Sequence, residues 1–303
     1  MHRLSERIAL PLAGIAMVAV YAPTVAWLWG RWTISVWHNA HGALVPFAVA
    51  YLCFIELRRR PELPQQSSPW GFALLIPALL LHSLDTAMHT GLLSAASIVL
   101  ALPGLSLLFL GMARTKVILF PLAFMLFALP IPLSLTERLH LVLRHIATNV
   151  TAAVVPFLGI PVYADATVLN LESARLEVGD ACSGFSTLYA SAAMACLIAY
   201  GADSWKRRLV VLLSAAPLAI AANVLRIILL VAVVDRTGVD VLETWIHPAS
   251  GMLTFALALP VIMWLGQSKS SAVPAAQTSL GAVTPSNGPV GDGKATETEP
   301  AGR

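Results

Sequence analysis

Three residues of reactive type, Cys182, Arg226 and His247, fall at or near the ends of separate apolar runs. Cys182 lies in Gly179–Asp180–Ala181–Cys182–Ser183–Gly184–Phe185, just where one run opens. A thiol at a helix start faces unpaired backbone N–H groups and partial positive charge, which lower its pKa and can hold a developing oxyanion. Gly184 carries no side chain to crowd a substrate backbone. A lone cysteine in an apolar protein is more often a packing residue than a nucleophile. Arg226 interrupts the run Ala219–Ile220–Ala221–Ala222–Asn223–Val224–Leu225–Arg226–Ile227–Ile228–Leu229. An arginine at mid-membrane costs roughly 2.5 to 3.5 kcal/mol, so such a residue is a functional candidate by default. An ion pair with Glu137, Glu177 or Asp180, or snorkelling to the surface, is the structural alternative. Asn223, one turn earlier on the same helix face, is suited to fix the guanidinium or to touch a substrate backbone. His247 opens another run, in Thr244–Trp245–Ile246–His247–Pro248, and alone reads as a water-bonded surface histidine. Together the three make an acyl-transfer set: the thiol attacks a peptide carbonyl, the imidazole moves the proton, and the guanidinium stabilises the oxyanion.

A rival cluster is His82, Asp85 and His89, at three- and four-residue spacing in one apolar run. It suits a metal or a proton relay, but no fourth ligand is evident, so no metal and no cofactor is expected.

The elements that carry these residues are membrane helices. Of 303 residues, 57% are hydrophobic and 12% charged, against roughly 25% charged in soluble domains. Apolar runs near 8–29, 36–57, 70–89, 91–111, 117–135, 181–200, 208–234 and 246–266 are each about as long as the roughly 20 residues a bilayer requires. The first is too long for a signal-peptide core and has no clear cleavage site, so it reads as a retained helix. Net charge is only +3, and the basic residues sit in short clusters between runs, which excludes a nucleic-acid surface and gives them a topological use. Arg3 with Arg7, Arg58–Arg59–Arg60, Arg114 with Lys116, and Lys206–Arg207–Arg208 all fall inside only if 137–158 does not cross. Glu137, His140, Arg144, Thr148 and Thr151 share one face of that segment, which predicts an amphipathic helix lying in the interface or dipping back. Its polar face then meets either water or a substrate cavity. Residues 159–179 read as a short external β-hairpin turning at Glu172–Ser173–Ala174. Residues 268–303 are rich in Ser, Ala, Pro, Gly and Thr and read as a disordered cytoplasmic tail. The predicted fold is therefore an all-α polytopic membrane protein: about eight transmembrane helices within 1–267, one interfacial or re-entrant helix and one hairpin.

At these motifs the sequence resembles the exosortase and archaeosortase family of membrane-embedded, sortase-like cysteine transpeptidases. The resemblance rests on Leu176–Glu177–Val178 before Ala181–Cys182–Ser183–Gly184–Phe185, on Asn223–Val224–Leu225–Arg226–Ile227, on His247 with Gly251, and on Phe124–Met125–Leu126–Phe127–Ala128–Leu129–Pro130–Ile131–Pro132. It spans roughly Val117 to Leu265, the catalytic half, 117–265. The resemblance implies Cys182 as nucleophile, Arg226 as charge partner and His247 as third active-site residue, with Asn223, Ser183, Gly184 and Arg144 as candidate substrate contacts. It implies substrates that are exported proteins ending in a short motif, often Pro-Glu-Pro (the PEP-CTERM signal), a hydrophobic helix and a basic tail. It also implies a site on the periplasmic side of a bacterial inner membrane, transfer to an acceptor, and a link to exopolysaccharide production. A polytopic transporter and a non-catalytic polysaccharide-export assembly factor are the alternatives in other classes.

Overall fold

A computed structural model describes residues 2–33, 40–172, 174–179, 182–237 and 246–267; within them the side chains of 2–11, 133 and 246–248 are not described. Residues up to Gln267 form one compact unit. The tail, 268–303, lies outside the described residues.

Nine α-helices occur among the described residues: α1 (His2–Thr33), α2 (His41–Arg58), α3 (Gly71–Met88), α4 (Leu92–Phe109), α5 (Gly111–Phe124), α6 (Leu133–Val154), α7 (Phe185–Gly201), α8 (Trp205–Thr237) and α9 (Ile246–Gly266). Short 3-10 turns, Met125–Ala128 and Val155–Leu158, extend α5 and α6. Pro46, Pro77, Pro103, Pro121, Pro217 and Pro260 all lie inside helices, as neighbouring helices in a membrane protein allow. The architecture is all-α and polytopic: eight helices are long and apolar enough to cross a membrane.

Length alone puts α6 among those eight and leaves α7, with 17 residues, short of them. Side-chain contacts decide between the two. Tyr189, in the first turns of α7, donates its hydroxyl to the carbonyls of Leu126 and Leu129, at the end of α5. Tyr200, in the last turn of α7, donates to Glu56 at the end of α2, 2.9 Å away. So α7 runs from the face where α5 ends to the face where α2 ends, about 25 Å at 1.5 Å per residue. Segment 130–184 leaves and returns on one face, with no net crossing. The Arg58–Arg60 and Lys206–Arg208 clusters then share the opposite face, as short basic loops should.

The polar stripe of α6 faces inward. Thr136, His140, Thr148 and Thr151 are buried, whereas Leu135, Leu139, Val142, Ile146, Val150 and Phe157 are exposed. Of the settings open to that face, the buried side chains take the protein interior and not bulk water. With lipid as surroundings the exposed side must be apolar, so the polar residues turn to the protein interior. Glu137 is the exception and is exposed.

The expected hairpin is a three-stranded antiparallel meander: β1 (Val162–Asp165), β2 (Val168–Leu171) and β3 (Arg175–Glu177), in the order β1-β2-β3. The pairing sets Val162 opposite Leu171 and Leu169 opposite Leu176. The extra turn, between β1 and β2, has Ala166 at φ 53°, a left-handed conformation without the Asn or Gly that normally announces it.

Helix α8, with 33 residues, is about 50 Å long, well beyond the roughly 30 Å of hydrocarbon. Its far half needs a cover. Leu169, Leu176 and Val178 provide it, forming one core cluster with Ile227, Leu230, Val231 and Val234 of α8, Ala147 of α6, Val155 beyond it, and Cys182.

Candidate active site

The chain from β3 reaches α7 through a turn in which the Cys182 N–H bonds the Gly179 carbonyl at 2.9 Å. Helix α7 begins only at Phe185, so Cys182 precedes the helix rather than occupying its first turn. Gly184 has φ +81°, and a Cβ there would lie 2.5 Å from Asn223 Cγ. Glycine is thus required twice, for the left-handed backbone and for the approach of α8. The space it leaves is filled by Asn223, whose Nδ2 donates to the Cys182 carbonyl at 3.1 Å. One turn along α8, Arg226 is 5% exposed. Its Nε donates to Ser250 Oγ of α9 at 2.8 Å, and its guanidinium lies over Gly251, where a Cβ would be in ordinary contact. The thiol strand, α8 and α9 therefore meet in one place.

Ser183 couples this place to α6. Its Oγ accepts the Phe185 N–H at 3.3 Å and lies 2.9 Å from His140 Nδ1. A serine hydroxyl can donate once and accept twice, so the imidazole tautomer sets which of Ser183 and His140 donates in this bond. The His140 ring lies against Phe185 with centroids 4.6 Å apart and planes tilted by 32°. Sequence patterning assigns His140 only to the α6 stripe, because the 43-residue separation from Ser183 leaves no periodic signal. Ser250 is likewise silent in sequence.

Cys182 is 4% exposed. Burial pushes its thiol above the ordinary cysteine value, and the Arg226 charge pulls it part of the way back. Desolvation outweighs the positive surroundings, which favours the neutral thiol over the thiolate. His247 is the second residue of α9, one turn before Ser250 and Gly251 on the same helix; its side chain lies outside the described residues, as do Asp180 and Ala181. Arg144 is half-buried on the inward face of α6, one turn beyond His140.

The residues of the rival cluster do not converge. His82 Nδ1 is bonded to Ser94 Oγ, Asp85 accepts from Thr90, and His89 caps α3 in a left-handed conformation. Among the described residues no group of three His, Cys, Asp or Glu side chains is placed to hold a metal.

No curated protein and no solved structure matches the chain. A family model does: residues 29–264, from the end of α1 to the end of α9, match the model for transmembrane exosortases. That match covers well over half of the chain and takes in every element that builds the site, and the chain belongs to the transmembrane exosortase family.

Proposed function

We propose that this protein is a membrane cysteine protease and transpeptidase that cuts the C-terminal sorting signal of exported proteins and passes the body to an acceptor. Family membership supports a membrane-embedded, transpeptidase-type role on exported proteins that carry sorting signals. The observation that carries the finer reading is the meeting of a buried thiol, Asn223 and Arg226 at the face opposite the basic clusters. In this mechanism His247 takes the Cys182 proton, and the thiolate sulfur bonds to the scissile carbonyl carbon. Arg226 stabilises the oxyanion, which a desolvated cation does more strongly than one in water. The tetrahedral species collapses by breaking the C–N bond, and the leaving amine takes the proton from the imidazolium. A thioester on Cys182 remains. An acceptor amine or hydroxyl, or water, then attacks it and regenerates the thiol. The PEP-CTERM class of signal, an inner-membrane setting with the site towards the periplasm, and service to exopolysaccharide production complete the proposal.

The test is co-expression with an epitope-tagged exported protein that ends in a short motif, one apolar helix and a basic cluster. Wild type trims it, while Cys182→Ala, Arg226→Ala and His247→Ala leave it full length. Unchanged trimming by Cys182→Ala would overturn the proposal. Transport or export assembly that survives loss of all three residues would favour the transporter or assembly-factor alternatives.

A further inference from the structure

The residue that carries the thiol is not fixed by helix backbone. Cys182 sits in a turn three residues before the start of α7, closed by its own N–H on the Gly179 carbonyl at 2.9 Å. A reacting group held about 1 Å out of line loses on the order of a hundredfold in rate, so a nucleophile on a turn has to be held from outside. Helix α8 supplies one hold, the Asn223 bond to the Cys182 carbonyl at 3.1 Å. Helix α6 supplies another at the next residue, where His140 Nδ1 lies 2.9 Å from Ser183 Oγ.

The imidazole grips the turn on both sides of its bend. The bend is Gly184, at φ +81°. Before it, Ser183 is bonded at the ring edge; after it, Phe185 lies against the ring face with centroids 4.6 Å apart. Phe185 stacks in turn on Tyr189 at 6.1 Å, and Tyr189 is tied to the Leu126 and Leu129 carbonyls at the end of α5. His140 is 4% exposed and Ser183 2%, so little of either side chain is left for a substrate. A leucine or phenylalanine would fill the same space without the desolvation cost of an imidazole. What the histidine adds over packing is the bond to Ser183, one residue from the thiol.

We propose that His140 is a positioning residue of the reaction: acting through Ser183, it fixes the turn that presents the Cys182 thiol to the scissile carbonyl. This deepens the transpeptidase reading and rests on it. Either imidazole tautomer serves, because hydroxyl and ring nitrogen can exchange donor and acceptor roles. Loss of the bond frees the turn and slows attack, while substrate binding is left to other residues, so the effect falls on kcat and not on KM.

The experiment uses the full-length chain in membranes with the tagged exported protein described above, and compares His140→Phe, His140→Asn, Ser183→Ala and the double variant His140→Phe/Ser183→Ala. Phenylalanine keeps a ring against Phe185 and removes the polar atom, whereas asparagine keeps a polar atom near the place of Nδ1. His140→Phe and Ser183→Ala are each expected to lower kcat about tenfold to a hundredfold, with KM within about twofold of wild type. His140→Asn recovers most of kcat, and the double variant is no slower than the slower single one, because both changes remove the same bond. Wild-type kcat in His140→Phe would overturn the proposal, as would a loss carried by KM, a His140→Asn variant as slow as His140→Phe, or single losses that multiply in the double variant. Should His140→Phe fail to fold, Ser183→Ala, which removes one oxygen atom, makes the same kcat test. If Cys182→Ala still processes, the transpeptidase reading fails. If Cys182→Ala is dead and both His140→Phe and Ser183→Ala are normal, only the positioning role fails.

Discussion

Two buried polar clusters in this protein are built from similar residues and differ in completeness. Between α1, α3 and α4, Tyr21 bonds Ser97 at 2.8 Å, Thr24 bonds Ser94 at 2.7 Å, Ser97 donates to the Ser94 carbonyl, His82 meets Ser94 and Asp85 meets Thr90. None of these side chains leaves a buried atom unpaired. Beside Cys182, by contrast, the Oδ1 of Asn223 is unpaired, as are the hydroxyls of Thr148 and Thr151 farther along α6 and, outside both clusters, His41 Nε2 and Ser191 Oγ. A closed set of hydrogen bonds fastens helices where no water is available. An open set retains capacity for a ligand. The contrast sets a cluster that fastens helices apart from the cluster proposed to react, a distinction that the histidines of both leave unreadable in sequence alone.

The largest test of that contrast removes the thiol. Cys182→Ala should reduce trimming of the tagged substrate by more than about a thousandfold with thermal unfolding unchanged, whereas Cys53→Ala should trim normally. Arg226→Gln comes next, with an expected loss of about a hundredfold or more, and Arg226→Lys should not rescue it, because a lysine cannot reproduce the Nε bond to Ser250 while presenting its charge. Gly184→Ala should cost about 1–3 kcal/mol of stability and most activity, because φ +81° and Asn223 both oppose a Cβ. Gly201→Ala meets nothing within 4 Å and should be silent in both assays. The smallest effect belongs to the fastening cluster: Tyr21→Phe leaves Ser97 with one bond fewer and should lower stability by about 1 kcal/mol with trimming unchanged. A loss of trimming there would erase the distinction between the clusters.

The reactivity of Cys182 with pH sharpens the account further. Because burial raises its pKa, the fold favours the protonated thiol; that contribution to stability is present below the unfolded pKa and lost as pH rises through the folded one. Iodoacetamide should therefore react slowly at neutral pH and faster through the alkaline range. Arg226→Gln should displace the rise to still higher pH, since the guanidinium charge is what pulls the pKa down. A rate already maximal at neutral pH would contradict a buried, protonated thiol.

Much of this fold is legible in composition, because a membrane helix must be a long apolar run whatever it packs against. The site is legible where a residue offends its surroundings, as Arg226 does in an apolar helix. Other features depend on contacts between distant segments. The Gly184–Asn223 approach, the His140–Ser183 bond and the Arg226–Ser250 bond link different elements and leave no spacing to read. The α6 stripe is visible as a period of polar residues, yet its direction is not: the same pattern faces water at an interface and faces inward beside lipid. The β1–β2 turn is hidden for a local reason, since Ala166–Thr167 carries none of the usual residues for a left-handed turn. Unpaired hydroxyls are invisible in sequence by nature, because pairing is a property of neighbours.

The central claim is that Cys182 carries the substrate as a thioester, and the most direct measurement is to trap it. Membranes containing wild-type chain and tagged exported protein, quenched in acid and digested, should yield a hydroxylamine-sensitive adduct on the peptide that contains Cys182, and none from Arg226→Gln. Trimmed substrate without any adduct at Cys182, or with the adduct on Cys53 or Cys196, would contradict the account.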